Sequence, residues 1–226
     1  RNAERLKDSE KVIHRQFPNA RCFTATADVL DKASVDAFAK EVEAALGPVD
    51  MLINNAGQGF VAPFDETSEE DWLYECRLKL MGVINPVKAF LPALEQSEIG
   101  SITNVNSLLA LQPEIHMIAT SAARAALLNF STSLSQELME KAIRVNSILI
   151  GMVESDQWRR RYEKRSDPAI SWEEWIGNVA KKRGIPMGRL GKPEEAARAL
   201  VFLASPLASY TTGATIDVSG GFSRQI

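Results

Sequence analysis

Two cysteines and two histidines are all that 226 residues offer as soft or readily switched ligands. Cys22 and Cys76 stand apart, with neither zinc-site spacing nor a disulfide framework, which points to a reduced, cytoplasmic protein. His14 and His116 each lack a second ligand nearby in sequence, so no metal centre is expected. No apolar run approaches the roughly 18 residues of a membrane helix, and the first residues are charged and polar, so neither a membrane span nor a secretory leader is legible. Charge of one sign is also scarce. A net charge of −3 without a basic stripe argues against a nucleic-acid partner. The one basic cluster, Trp158 to Arg161 with Lys164 and Arg165, alternates with Glu154, Asp156, Glu163 and Asp167 and reads as a solvated helix face.

What is present is an ordinary globular balance, 45% apolar and 24% charged, long enough to bury one core. Residues 2–17 space Leu6, Val12, Ile13 and Phe17 as a short amphipathic helix that stops before Pro18. Ala20 to Val29 is strand-like and ends in Asp28-Val29. A helix from Ser34 to Gly47 follows, and then an apolar strand, Val49 to Asn54, closed by Asn54-Asn55-Ala56-Gly57. Thr67 and Glu70 form a capping-box pattern for a helix reaching about Leu94 and bent or interrupted near Pro86. Further strands are expected at Ser101–Asn106, Ile143–Ile150 and Ala214–Val218, and helices at about Ala119–Lys141 and Pro193–Ala204. Strand and helix alternate and the strands are apolar on both faces, which predicts a doubly wound α/β domain around a parallel sheet. Residues 154–186 form an irregular, Trp- and charge-rich insertion, read either as a substrate flap or as a segment that Trp158, Trp172 and Trp175 dock to the core.

The order of short motifs carries more than any one of them. Asp28-Val29, Asn54-Asn55-Ala56-Gly57, Asn104-Val105-Asn106-Ser107, Arg144-Val145-Asn146 running to Gly151, Gly188-Arg189-Leu190-Gly191 and Gly220-Gly221 together resemble the short-chain dehydrogenase/reductase family along the whole chain. The resemblance implies a Rossmann-like fold. It also implies that the family's first strand–helix–strand unit, with its Gly-rich phosphate turn, would lie before Arg1, so the sequence reads as part of a longer protein. By carry-over, Asp28 and Val29 hold the adenine, and Asn55, Ala56 and Gly57 line the adenosine ribose side. Gly151 and Val153 cradle the nicotinamide carboxamide, with Ile150 where the family has Pro and Ser155 where it has Thr. Arg1, just after the implied second strand, suits a 2′-phosphate and favours NADP(H) over NAD(H).

The segment Ser107–Arg124 departs from the family. The family's proton chemistry uses Asn, Ser, Tyr and Lys; at the matching positions this chain has Lys79, Ser107, Thr120 and Arg124. Thr120 has an aliphatic hydroxyl that does not ionise near neutral pH. Arg124, four residues on and on the same helix face, keeps a ribose-anchoring charge but passes no protons. Lys79 near Arg124 and a cationic nicotinamide would have its pKa pushed down, making it the candidate acid–base group; His116 is a second candidate. The expected activity is hydride transfer between NADP(H) and a small-molecule carbonyl or secondary alcohol. The alternative is a catalytically weak NADP(H)-binding sensor or partner subunit. The family further implies a homo-oligomer, dimer or tetramer, built through the two long helices and the last strand.

Overall fold

The computed structural model describes residues 2–224. Its centre is a four-stranded, fully parallel sheet in the order β1 (Met51–Asn54), β2 (Ser101–Ser107), β3 (Arg144–Ile150), β4 (Thr215–Val218). Parallel neighbours need crossovers, and helices supply them. The chain opens with α1 (Ala3–Gln16) and α2 (Lys32–Leu46). Between β1 and β2 runs α3 (Glu69–Leu94), and between β2 and β3 runs α4 (Ile118–Glu137). After β3 come α5 (Asp156–Glu163), α6 (Trp172–Arg183) and α7 (Pro193–Ala204).

The period-two alternation of β2 and β3 sorts the two faces. Ile102 and Val145 join Val83, Val87, Phe90, Leu94 and Leu127 in the main core under α3 and α4. Ser101 and Arg144, one residue earlier, face α7: the Ser101 hydroxyl donates to the Ala204 carbonyl at 2.7 Å. The Arg144 guanidinium donates to the carbonyls of Leu203, Ala204, Ser205 and Ala208. Those carbonyls end α7 or follow it, where a cation also suits the helix dipole. Helices on both faces make the sheet doubly wound, as the alternating pattern predicts.

Three expectations change. Ala20–Val29 forms no strand: among the described residues nothing pairs with it, and a strand exists only through its ladder. It is held instead by α3, where the Asn85 amide donates to the Val29 carbonyl at 2.8 Å. The cap of α3 is Ser68 with Asp71, one residue beyond the Thr67/Glu70 pattern. Pro86 does not interrupt α3, which runs unbroken for 26 residues. A proline costs an interior helix about 3 kcal/mol, and the burial of Val83, Val87, Phe90 and Leu94 on one face outweighs that, at roughly 1.5–3 kcal/mol for each large side chain.

The insertion builds a small core of its own, with Trp172, Ile176, Ala180, Ile185 and Leu190 buried and Trp158, Tyr162 and Trp175 packed against them. Gly188–Gly191 ties this unit to the sheet: Gly191 N–H donates to Met152 C=O, and Glu154 N–H to Gly191 C=O. Arg189 makes a two-pronged ion pair with Glu195 in the first turn of α7, at 2.7 and 2.8 Å. This pair and the Lys192 N–H hold the Glu195 carboxyl down to about 2 from 4.5. A carboxyl lowered in the fold stabilises fully above its unfolded value and loses that contribution as pH falls from about 4.5 towards about 2. Glu195→Gln is therefore expected to flatten the acid limb of stability in that window, read as urea midpoints across the acid range. An acid limb as steep as in the unaltered protein would refute this.

Candidate active site

Because all four strands are parallel, their carboxyl ends, Asn54, Ser107, Ile150 and Val218, lie at one edge of the sheet, where open α/β sheets take their ligands. The loops after β1, β2, β3 and β4 converge there. Gly151 shows how closely: a Cβ on it would lie 2.8 Å from the Ser219 Cβ and 3.0 Å from its Cα, so the loops after β3 and β4 touch through backbone. Val153 pairs with Gly191 beside them.

Ser107 is the last residue of β2 and is half-buried. Its hydroxyl accepts a long bond from Leu109 N–H, 3.3 Å. Arg124 projects from α4 towards the loop after β1: Nη1 donates to Val105 C=O at 2.8 Å, and Nη2 lies 3.6 Å from where a Gly57 Cβ would stand. Its Nε is buried with no partner among the described residues. Burial pushes the guanidinium down to about 10, with the Glu75 carboxylate working in the opposite sense. Asn55, Ala56 and Gly57 are exposed along the same loop. Asp28 accepts from Leu30 N–H within its own turn, and Val29 packs over Gly82 of α3. Arg1 lies outside the described residues.

Lys79 and Thr120 meet at a residue that the sequence pattern did not single out. Glu75, one turn before Lys79 on α3, is 1% exposed; Lys79 and Thr120 are each 2% exposed. Glu75 Oε2 accepts from Lys79 Nζ at 3.1 Å and from the Thr120 hydroxyl at 2.5 Å. Lys79 also donates to Gln58 C=O at 2.7 Å, and Thr120 accepts from Phe60 N–H at 2.9 Å. Burial lowers the Lys79 ammonium below its ordinary value, Glu75 opposes that shift and Arg124 adds to it. The expected downward shift is present, with desolvation ahead of the neighbouring guanidinium as its cause. Glu75 left a signal in the sequence, a Glu–Lys pair at i,i+4 in its favoured orientation. On a helix that pattern normally marks a solvated surface, and only the fold buries it.

His116 stays apart from this group. It is half-exposed, with Nε2 3.1 Å from Glu114, and Glu114 also pairs with Arg183 of α6, which ties the loop after β2 to the insertion. Among the described residues no cluster of three metal-ligating side chains occurs, both cysteines are free, and no helix is long and apolar enough to cross a membrane.

Comparison with known proteins shows the family. A family profile described as enoyl-(acyl carrier protein) reductase matches residues 1–223. A solved NADPH-bound short-chain oxidoreductase from Pseudomonas aeruginosa, described as containing an atypical catalytic centre, is 53% identical over the whole chain, with 86% of its own length covered and a TM-score of 0.96. The L-sorbose reductase of Gluconobacter frateurii, solved with NADPH and L-sorbose, is 29% identical at a TM-score of 0.92, covering 100% of this chain and 86% of that one. An acetoacetyl-CoA reductase from Rhizobium meliloti is 37% identical over 190 residues, 84% of this chain and 74% of that protein.

Proposed function

Because the chain belongs to the short-chain dehydrogenase/reductase family, we propose that it is an NADP(H)-dependent oxidoreductase acting between a small-molecule carbonyl and the secondary alcohol. The observation that carries this reading is Arg124: a buried guanidinium at the carboxyl edge of the sheet, facing Gly57, with Nε unpartnered among the described residues. That donor set fits the hydroxyls of a nicotinamide ribose. Bound NADPH supplies the hydride at this edge. Asn55, Ala56, Gly57, Gly151 and Val153 would line the cofactor's nicotinamide and ribose side, Asp28 and Val29 would hold its adenine, and Arg1, outside the described residues, would meet the 2′-phosphate.

Ser107 donates to the carbonyl oxygen and stabilises the negative charge that develops there as the carbon takes hydride. Lys79 is the proton source, with Thr120 beside it. Proton delivery requires the Gln58–Phe60 loop to part or a water to enter, since that loop covers both side chains. Turnover of NADPH on a panel of carbonyl compounds tests this reading. The protein is expected to oxidise NADPH in preference to NADH. Carbonyl reduction is expected to fall as pH rises through the lowered Lys79 pKa, below the ordinary 10.5, because the acid must carry its proton. Lys79→Met removes that limb. Turnover with an unchanged pH profile in Lys79→Met would end the proton-source role.

Exposed apolar side chains on the two long helices, Leu73, Tyr74 and Met81 of α3 beside the exposed Ala122 and Ala125 of α4, support a homo-oligomer built through them. The two free cysteines suit a reducing compartment.

A further inference from the structure

All three exchanged side chains lie against one short segment. Arg124 Nη2 faces Gly57, Lys79 Nζ binds Gln58 C=O, and Thr120 Oγ1 binds Phe60 N–H. The loop is tied again further along, where Ala62 bridges to Met117 and a Cβ on Gly59 would fall 2.8 Å from the Met117 Cε. Lys79 and Thr120 come from different helices, and they are held in common by a single carboxylate oxygen of Glu75. A threonine hydroxyl has one proton to give. The oxygen accepts from Phe60 N–H at 2.9 Å, and of the two acceptors within reach of its proton, Glu75 Oε2 at 2.5 Å and Phe60 C=O at 3.1 Å, the shorter bond to the carboxylate fixes where the hydroxyl that holds the loop stands. The same carboxylate faces both buried cations, Lys79 and Arg124, and balances charge that burial makes costly.

We propose that Glu75 is a positioning residue which, through Lys79 and Thr120, clasps the 57–60 loop into the shape that receives the cofactor. The clasp rests on the NADP(H) reading for its purpose and on the hydrogen bonds alone for its existence. It explains why the exchanges occur together: a short hydroxyl at position 120 leaves room for the Lys79–Glu75 pair, and the pair keeps that hydroxyl oriented. Glu75 touches neither substrate nor cofactor.

The test is amide hydrogen exchange combined with NADPH titration on the whole protein, for Glu75→Gln, which removes the charge, and Thr120→Val, which removes the hydroxyl and leaves the charge. In both variants, exchange at Phe60 and its loop neighbours should quicken by about tenfold or more relative to β2 and β3 amides, the loss of about one hydrogen bond. The Kd for NADPH should rise about tenfold, and the KM for NADPH with it. In Thr120→Val, which leaves the Glu75–Lys79 pair in place, β2 and β3 amides quickened as much as the loop would overturn the clasp. Unchanged loop exchange in Thr120→Val overturns it as well, whatever becomes of Glu75→Gln. If the unaltered protein fails to bind NADPH, the cofactor reading falls, while differential loop exchange still reports on the clasp.

Discussion

Ser107→Ala is expected to lower kcat/KM for carbonyl reduction by about 100- to 1,000-fold, the range found when a donor to a developing oxyanion is removed. Ser107 ends β2 at the ligand edge of the sheet, and among the described residues its hydroxyl proton has no acceptor; the oxygen only receives a 3.3 Å bond from Leu109 N–H. That proton is available to a substrate oxygen without breaking anything already made. The loss therefore falls on the step in which charge builds up, while NADPH affinity stays within about threefold and stability falls by no more than about 1 kcal/mol, the cost of the long capping bond to Leu109 N–H. Single-turnover reduction, NADPH titration and urea unfolding separate the three quantities. Full turnover in Ser107→Ala would assign carbonyl activation to another donor, with Arg124 the nearest in kind.

Lys79→Met carries the largest expected cost in stability, about 3–5 kcal/mol, because it strands the Glu75 carboxylate at 1% exposure without its cation. The paired change Glu75→Leu with Lys79→Met should recover most of that loss, since replacing both members of a buried ion pair by apolar groups is often neutral. Thr120 then keeps Phe60 C=O as an acceptor at 3.1 Å. A double-mutant cycle in urea measures the coupling; additive losses would mean that the two side chains do not act as a pair. The pH dependence adds a second reading. A lysine whose pKa is lowered in the fold binds its proton less tightly there than in the unfolded chain, so its penalty is relieved as pH rises from the lowered value to 10.5. Stability gains from this source across that window, and Lys79→Met removes the gain.

The sheet was legible because its signals are local. β2, β3 and β4 lie within a residue or so of where apolar runs and following turns place them, and α7 begins and ends at Pro193 and Ala204 as read. Ala20–Val29 reads equally well as a strand and is not one, since pairing is a property of two segments and the pattern shows only one of them. Pro86 fails in the other direction: its local penalty is real, and the burial of a 26-residue helix face overrides it. At the site, the four tetrad positions, three of them exchanged, were found by their spacing along the chain, which also placed Ser107 and Arg124 at the ligand edge of the sheet. Spacing said nothing of Glu75, whose partner Thr120 lies 45 residues away on another helix.

By itself, the sequence determined the α/β alternation, the motifs that mark a nucleotide-binding sheet edge, and the identity of the side chains standing where proton chemistry is expected. All of these depend on residue type and short-range order. Tertiary structure alone decided which of those side chains share one carboxylate oxygen, which lie under a loop, and which keep a hydroxyl uncommitted at the sheet edge. Lys79 is a surface lysine or a buried cation according to what α4 and the Gln58–Phe60 loop bring to it. Burial and charge pairing depend on distances between segments far apart in the chain, and those distances exist only once it has folded.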